Sequence, residues 1–370
     1  MTARRWVGRL GLLVAGLLIG LVLAEVLLRL GPARGYENLL AQAPRIYDLS
    51  IFANDRENGI VLAPGASTVL RTPEFATAVR INRAGLRGPE LGPRPPEGLR
   101  VLTVGDSFVL GLQVDEDAHF VTRLGAQLTE ALGRPVEVLN AGVDGYGTRE
   151  ATRLADRLAD AVAPDLVLLV FFTGNDFWDN AAGGMGPLTP EARQRDGPGY
   201  ALARRFALAY ALRMLSTAWE MQGDSPLARR HRMELAMFAD PVALHNTLHR
   251  TRPALDAFAQ LCRVRGWRCA IAVAPPVYAV HPERMAATFD MFDLDAAGAD
   301  ATGPGRAVVE LSQVPALDLL PALREAGGGL YFTFDGHWTP RGHAAVADAL
   351  TPFLTGLLPA RASPEDAPAP

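Results

Sequence analysis

The stretch Leu99-Arg100-Val101-Leu102-Thr103-Val104-Gly105-Asp106-Ser107-Phe108 carries an apolar-rich run straight into a Gly-Asp-Ser turn. A short run of this kind, closed by a glycine, reads as a buried strand. Outward from it the pattern alternates. Ala118 to Leu132 reads as a helix, Val136 to Leu139 as a second strand and Arg149 to Ala161 as a helix. Leu166 to Phe172 is a third, wholly apolar strand, and strand-like segments return at Arg268 to Ala274 and Val314 to Leu319, each after a helix. This alternation predicts an α/β fold, a parallel sheet covered by helices on both faces.

In an open sheet of this type the reactive crevice lies outside the carboxyl ends of the strands, which is where Ser107 falls. A helical turn beginning at Ser107 aims its backbone N–H at that crevice and can stabilise an oxyanion. The plainer reading is that Asp and Ser after a strand simply cap the next helix. The chain contains its own comparison, because Gly223-Asp224-Ser225 repeats the tripeptide with no strand before it and Pro226 after it. Ser followed by Pro marks an ordinary helix start. Context, not the tripeptide, singles out Ser107.

The second strand leads into Asn140-Ala141-Gly142-Val143-Asp144-Gly145 and the third into Thr173-Gly174-Asn175-Asp176. Glycines at strand ends let a backbone approach a ligand closely, although a plain turn uses the same residues. The side-chain amide of Asn175 can donate to a developing oxyanion. Near the C-terminus, Phe334-Asp335-Gly336-His337-Trp338 sets an acid two residues from an imidazole. A serine nucleophile needs a base, and the base needs an acid to fix its tautomer. Asp335 and His337 can supply both. His343, at the start of the final helix, reads as a structural histidine. No HExxH or comparable ligand set is present, so neither a metal nor a cofactor is expected.

Taken in order, Gly105-Asp106-Ser107, Gly145 of Asn140-x-x-x-x-Gly145, Gly174-Asn175-Asp176 and Asp335-x-His337 resemble the four blocks of the SGNH (GDSL-like) hydrolases. The resemblance covers about residues 99–350. It implies a flavodoxin-like, three-layer α/β/α sandwich. It also implies Ser107 as nucleophile, His337 as base with Asp335 as its partner, and an oxyanion hole built from Ser107 N–H, Gly145 N–H and the Asn175 amide. In the last block only Gly336 separates acid and base, one residue fewer than is usual in the family. This spacing, followed by Trp338, is similar to that of polysaccharide O-acetyltransferases related to the alginate-acetylating proteins, and it leaves the acyl acceptor open. No Gly-x-Ser-x-Gly surrounds any serine, which disfavours a classical α/β-hydrolase.

At the N-terminus, Arg4, Arg5 and Arg9 precede an uncharged run from Leu10 to Ala24, and apolar sequence resumes after Glu25 through Leu28. A spanning helix needs about 20 residues, and leading arginines favour a cytoplasmic N-terminus. Residues 1–30 are therefore expected to be an uncleaved membrane anchor, with the catalytic part exported. A cleaved signal peptide is the rival, since Val22 and Ala24 occupy the −3 and −1 positions of a possible site. Residues 31–98 form a Pro/Gly-rich membrane-proximal segment with short β-like pieces such as Ala78 to Ile81. The hydrolase domain is expected over 99–355, with a helical insertion at about 177–250 that opens as a loop and includes an amphipathic helix from about Ala201 to Met221. That insertion suits a lid or substrate platform, or is simply a longer crossover helix pair. Residues 356–370, ending in PEDAPAP, are expected to be disordered.

With 49% hydrophobic and 21% charged residues the chain has a globular composition, and its net charge of −4 argues against nucleic acid as a partner. Cys262 and Cys269 fall at the end of a helix read as Pro253 to Val264 and at the start of a strand. Export permits a disulfide, and two buried thiols fit equally well. The expected function is an exported serine esterase acting on an acylated carbohydrate or lipid. An O-acyltransferase passing the acyl group to a glycan is the alternative. A non-enzymatic glycan-binding protein is a third reading, and the intact Ser107, Asn175, Asp335 and His337 argue against it.

Overall fold

The computed structural model describes residues 3–30, 49–71, 74–182, 186–187, 206–209, 211–212, 215, 219, 225–333 and 335–359. The chain divides into two compact units, one of Asp48–Leu70, Glu74–Leu188 and Pro226–Pro370, the other of Met1–Tyr47, Arg71–Pro73 and Thr189–Ser225. The second unit holds helix α1 (Ala3–Leu30), in which Gly11–Leu30 has a mean hydropathy of 2.6 and is long and apolar enough to cross a membrane. The expected helix from Ala201 to Met221 lies largely outside the described residues, as does the tail beyond 359.

The larger unit opens with strands β1 (Phe52–Asp55), β2 (Gly59–Leu62), β3 (Ser67–Arg71) and β4 (Ala76–Arg80), paired two by two. Then follow β5 (Leu99–Gly105), α2 (Ser107–Leu110), α3 (Phe120–Leu132), β6 (Val136–Gly142), α4 (Thr148–Val162), β7 (Leu166–Phe172) and α5 (Asp176–Ala182). After them come α6 (Pro226–Ala239), α7 (Pro241–Arg265), β8 (Arg268–Ala274), α8 (Val277–Val280), α9 (Pro282–Met291), α10 (Gly303–Leu311), β9 (Ala316–Asp318), α11 (Leu320–Ala326) and α12 (Pro340–Thr355).

Strands β5 to β9 form one parallel sheet in the order β6-β5-β7-β8-β9. This is the flavodoxin-like order, in which the chain reverses direction beside β5 and opens a crevice between the ends of β5 and β7. Side chains alternate across the sheet. Leu102, Val104, Val167, Leu169, Phe171, Ile271 and Val273 share one core with Leu154 and Leu158 of α4 and Leu255 and Phe258 of α7. Helices α3 and α12 pack against each other, and α4 packs with α7. The α/β class and the layered parallel sheet are as the sequence predicts.

Three details differ from expectation. Ile51, Phe52, Ile60, Leu62, Leu70, Phe75 and Val79 belong to the same core as the sheet, so the short β pieces before Pro93 are packed against it. The helix read from Pro253 begins instead at Pro241, with Asp240 as N-cap, and Pro253 sits inside it. An interior proline forfeits one backbone hydrogen bond, and burial of Leu255, Phe258 and Cys262 outweighs that loss. Residues 241–250, expected in an insertion, are thus the start of the crossover helix into β8. The expected loop after Phe177 begins as helix α5, whose first turn carries Asp176 and Asp179. Cys262 and Cys269 form a disulfide with Cα atoms 6.1 Å apart, joining the end of α7 to β8.

Candidate active site

β5 delivers the chain to the crevice, and Gly105 turns it out with φ +154°; a Cβ there would meet Val109 Cγ2 at 2.7 Å and Val170 O at 2.8 Å. Asp106 is the N-cap of α2, its carboxylate accepting from Phe108 N–H at 2.9 Å, and Ser107 is the first helical residue. The capping role expected of the plain turn therefore falls to Asp106, which leaves the Ser107 hydroxyl available. Ser225 directly precedes α6, which begins at Pro226.

His337 Nε2 stands 2.8 Å from Ser107 Oγ, and His337 Nδ1 stands 2.7 Å from Asp335 Oδ1. The Asp335 side chain is 6% exposed and that of His337 18%, so the acid is shielded while the imidazole keeps one accessible edge. Gly336, with φ +80°, permits the tight bend between them. Within that bend Asp335 Oδ1 also accepts from His337 N–H at 3.2 Å, and Phe332 N–H donates to His337 O at 2.9 Å. Gln113 Nε2 lies 3.4 Å from the other Asp335 oxygen. The one-residue spacing thus still lets acid and base meet.

Burial opposes charge on both groups, and each is outweighed by the other. For Asp335, the hydrogen bond and charge of His337 hold the carboxyl below its usual range despite burial. For His337, the bond to Asp335 and its charge, with the charges of Asp106 and Asp144, raise the imidazole above its usual range despite burial. Asp335 is set up to stay ionised and to stabilise an imidazolium.

Gly145 lies in the loop between β6 and α4, and Asn175 directly precedes α5, its carbonyl accepting from Asp179 N–H at 2.9 Å. Both are half-buried, as are Ser107 and His337. Asn175 Oδ1 is buried without a hydrogen-bond partner. Asn140, which opens the second block, ties the loops together, donating to Val109 O at 2.7 Å and accepting from Gly142 N–H at 3.0 Å.

Beneath this surface lie three acids. Burial pushes Asp106 up to about 7 against the Phe108 N–H and the charge of His337. Burial likewise lifts Asp179 to about 7, and burial with the charges of Asp106 and Asp179 lifts Asp176 well above the usual carboxylate range. Among the described residues no group of His, Cys, Asp and Glu has the arrangement of a metal site.

The other histidine pairings have structural geometry. Asp117-Ala118-His119 repeats the acid-x-His spacing, but His119 is buried and its Nδ1 accepts from Val121 N–H at 3.1 Å. His343 is buried too, and its Nδ1 accepts from Phe120 N–H at 3.2 Å. Two imidazoles thus satisfy orphan donors at the start of α3. Burial holds both well below the usual histidine range, as acceptors require. Trp338 is 1% exposed and meets Phe108 and Phe120 edge-on, so the Trp that follows the short-spaced pair is a core residue. Gln113 and the carboxylate of Glu74, which accepts from Asp335 N–H at 3.0 Å, carry no motif and were not legible in the sequence.

Comparison with known proteins reaches the last of the four blocks. Residues 237–367 match the family described as SGNH hydrolase-like domain, acetyltransferase AlgX. No curated protein sequence matches the chain. Among solved structures, TesA is 16% identical with TM-score 0.38, covering 70% of this chain and 99% of TesA. A catalytic mutant of Axe2, an acetylxylan esterase from Geobacillus stearothermophilus, is 15% identical with TM-score 0.40, covering 72% of this chain and 97% of that one. A putative lipolytic protein of the G-D-S-L family from Desulfitobacterium hafniense is 12% identical with TM-score 0.35, covering 70% and 99%. Likenesses at that level carry no argument about activity. The family match rests on the sequence itself and spans about a third of the chain, residues 237–367, which are similar to an SGNH hydrolase-like domain.

Proposed function

We propose that this protein is a membrane-anchored serine esterase working through an acyl-enzyme on Ser107. The observation that carries the reading is the continuous line from Ser107 Oγ to His337 Nε2 at 2.8 Å and from His337 Nδ1 to Asp335 at 2.7 Å. Ser107 Oγ attacks an ester carbonyl while His337 Nε2 takes its proton, and Asp335 steadies the imidazolium. Ser107 N–H, Gly145 N–H and the Asn175 amide are the donors assigned to the tetrahedral oxyanion. The imidazolium then protonates the leaving alkoxide, leaving the acyl group on Ser107. Water activated by the same imidazole releases the acid and restores the hydroxyl.

A second reading, O-acyl transfer, differs only in the group that enters last, a glycan hydroxyl in place of water. It is favoured by the family match, whose description names an acetyltransferase and whose residues 237–367 include Asp335 and His337. For location, we assign α1 as an uncleaved anchor with the domain outside the cytoplasm. The arginines at 4, 5 and 9 support that orientation, and the Cys262–Cys269 disulfide suits an oxidising compartment.

The test is stopped-flow acylation by p-nitrophenyl acetate, followed by acyl release with and without an added oligosaccharide. A Ser107-dependent burst with release into water supports the esterase. Release only onto the sugar selects the transferase, and the absence of any burst removes both.

A further inference from the structure

We propose that Glu74, from the segment before the sheet, is a positioning residue for the Asp335–His337 pair. The inference rests on the acyl-enzyme reading above and names a further residue that this reading needs. Glu74 Oε1 accepts from Thr333 N–H at 2.7 Å and Glu74 Oε2 accepts from Asp335 N–H at 3.0 Å. One carboxylate therefore grips two backbone donors of the bend that carries both acid and base. Backbone N–H groups gathered in a turn are a natural seat for an anion. The adjacent Phe75, 8% exposed, packs on Phe332 of the same bend with ring centroids 5.3 Å apart. A polar and an apolar contact from neighbouring residues thus fix the bend from outside.

The bend needs such a hold. With one residue between acid and base, the Asp335 carboxylate must serve its own loop and the imidazole at once, accepting from both His337 N–H and Nδ1 through Oδ1. Among the described residues, its second oxygen has only the long contact to Gln113 at 3.4 Å. A rotation of the Asp335 backbone therefore moves the acid away from the imidazole directly. Glu74 holds the N–H that defines that rotation. Its own segment is held to the other catalytic loops. Thr77 Oγ1 donates to Leu112 O at 2.7 Å, Arg87 donates to Gly111 O, and Ile60 O accepts from the hydroxyl of Tyr146, next to Gly145, at 2.5 Å. The segment before the sheet is accordingly part of the site's frame, and Glu74 is the member that touches the base-bearing loop.

The experiment uses the full chain in detergent and reads the melting temperature together with three quantities from p-nitrophenyl acetate acylation: burst amplitude, acylation rate constant and its pH profile. Glu74→Ala should slow acylation by about 10- to 100-fold, the size of effect a misplacement near 1 Å produces. Glu74→Gln, which keeps one acceptor, should fall between. Both should retain most of the burst amplitude, and the apparent pKa of the base should move down toward the ordinary histidine value as its contact with Asp335 loosens. A wild-type rate constant and pKa in Glu74→Ala, or a loss confined to burst amplitude and melting temperature, would overturn the proposal and leave Glu74 a packing residue. Ser107→Ala is run alongside. A burst that survives it would bring down the acyl-enzyme reading and this inference together, whereas its loss with unchanged Glu74 variants defeats this inference alone.

Discussion

The imidazole of His337 lies 4.7 Å, centroid to centroid, from the ring of Phe108, the residue after Ser107. Phe108 in turn meets Trp338, the residue after His337, edge-on at 4.8 Å. Each of the two loops therefore anchors itself through the aromatic that follows its polar residue, and those aromatics pack on each other. Phe108 and Trp338 are 4% and 1% exposed, so their positions are set by the core. Core packing thus fixes the separation of hydroxyl and imidazole before any substrate arrives, which is the form of preorganisation that lowers a barrier.

The two Gly-Asp-Ser tripeptides give the first test. Ser107→Ala should reduce p-nitrophenyl acetate turnover by at least about 10³-fold, as removal of a serine nucleophile does. Ser225→Ala, at the start of α6, should leave the rate within a few-fold. Steady-state assay of both variants decides it, and an equal loss from both would discredit the distinction drawn from strand context.

His343→Ala separates the two C-terminal histidines. Its ring accepts from Phe120 N–H inside the core, and its removal orphans that donor. The loss of stability should be about 1–3 kcal/mol, the cost of a buried unsatisfied group. The folded variant should still acylate near the wild-type rate, while His337→Ala should not. Denaturant unfolding together with burst kinetics resolves the two effects. A stable but inactive His343→Ala would move the base to His343.

Much of this was legible in the sequence because strand periodicity and turn chemistry are local. The run Leu99–Val104 and its exit at Gly105 placed Ser107 at a strand end, and the same logic placed Asn175 after Leu166–Phe172. The Pro253 start was misread because a proline is a strong local stop signal, and only tertiary burial of Leu255 and Phe258 explains why the helix runs through it. Glu74 and Gln113 were invisible for a different reason. Their partners lie far along the chain, 261 residues from Glu74 and 222 from Gln113, and no spacing rule links them. Asp117-Ala118-His119 shows the converse, a correct local spacing whose imidazole is spent on a helix terminus.

The buried acids give a prediction about stability and pH. Asp179 titrates near 7 in the folded chain, pushed up by burial against the charge of Arg230, whereas an unfolded Asp titrates near ~3.9. Because the folded value is the higher one, the folded state binds the extra proton between those values. The stability this group contributes is full below the unfolded value and is lost as pH rises through about 7. Asp179→Asn remains neutral throughout. Its melting temperature relative to wild type should therefore rise between pH 5 and pH 8. His119 and His343 titrate in both proteins and cancel in that difference, whereas Asp176, which the charge of Asp179 helps to raise, is raised less in Asp179→Asn and moves the difference in the same direction. A difference independent of pH would show that Asp179 does not take up a proton on folding.

The last prediction concerns how Asp335 sets the pH dependence of His337. The base works only when neutral, so acylation should rise with pH through the imidazole's own titration. Burial alone would lower that value, and the hydrogen bond and charge of Asp335 more than reverse it. In the wild type, kcat/KM should accordingly follow a group above the ordinary ~6.5 of histidine. Asp335→Asn removes the two leading upward influences and leaves burial in place. Its residual activity should follow a group below that of the wild type, so the variant's relative deficit is smallest at acid pH and widens toward neutrality. The overall rate should drop by up to about 10⁴-fold, because an amide presents the wrong partner to Nδ1 and cannot stabilise the imidazolium. Replacing Gln113 by Ala should shift the profile far less, since its 3.4 Å contact leaves the Oδ1–Nδ1 bond intact. Rate profiles of the three proteins from pH 5 to 9 make the comparison. An Asp335→Asn profile superimposable on the wild type in shape would mean that the acid beside His337 does not control its proton.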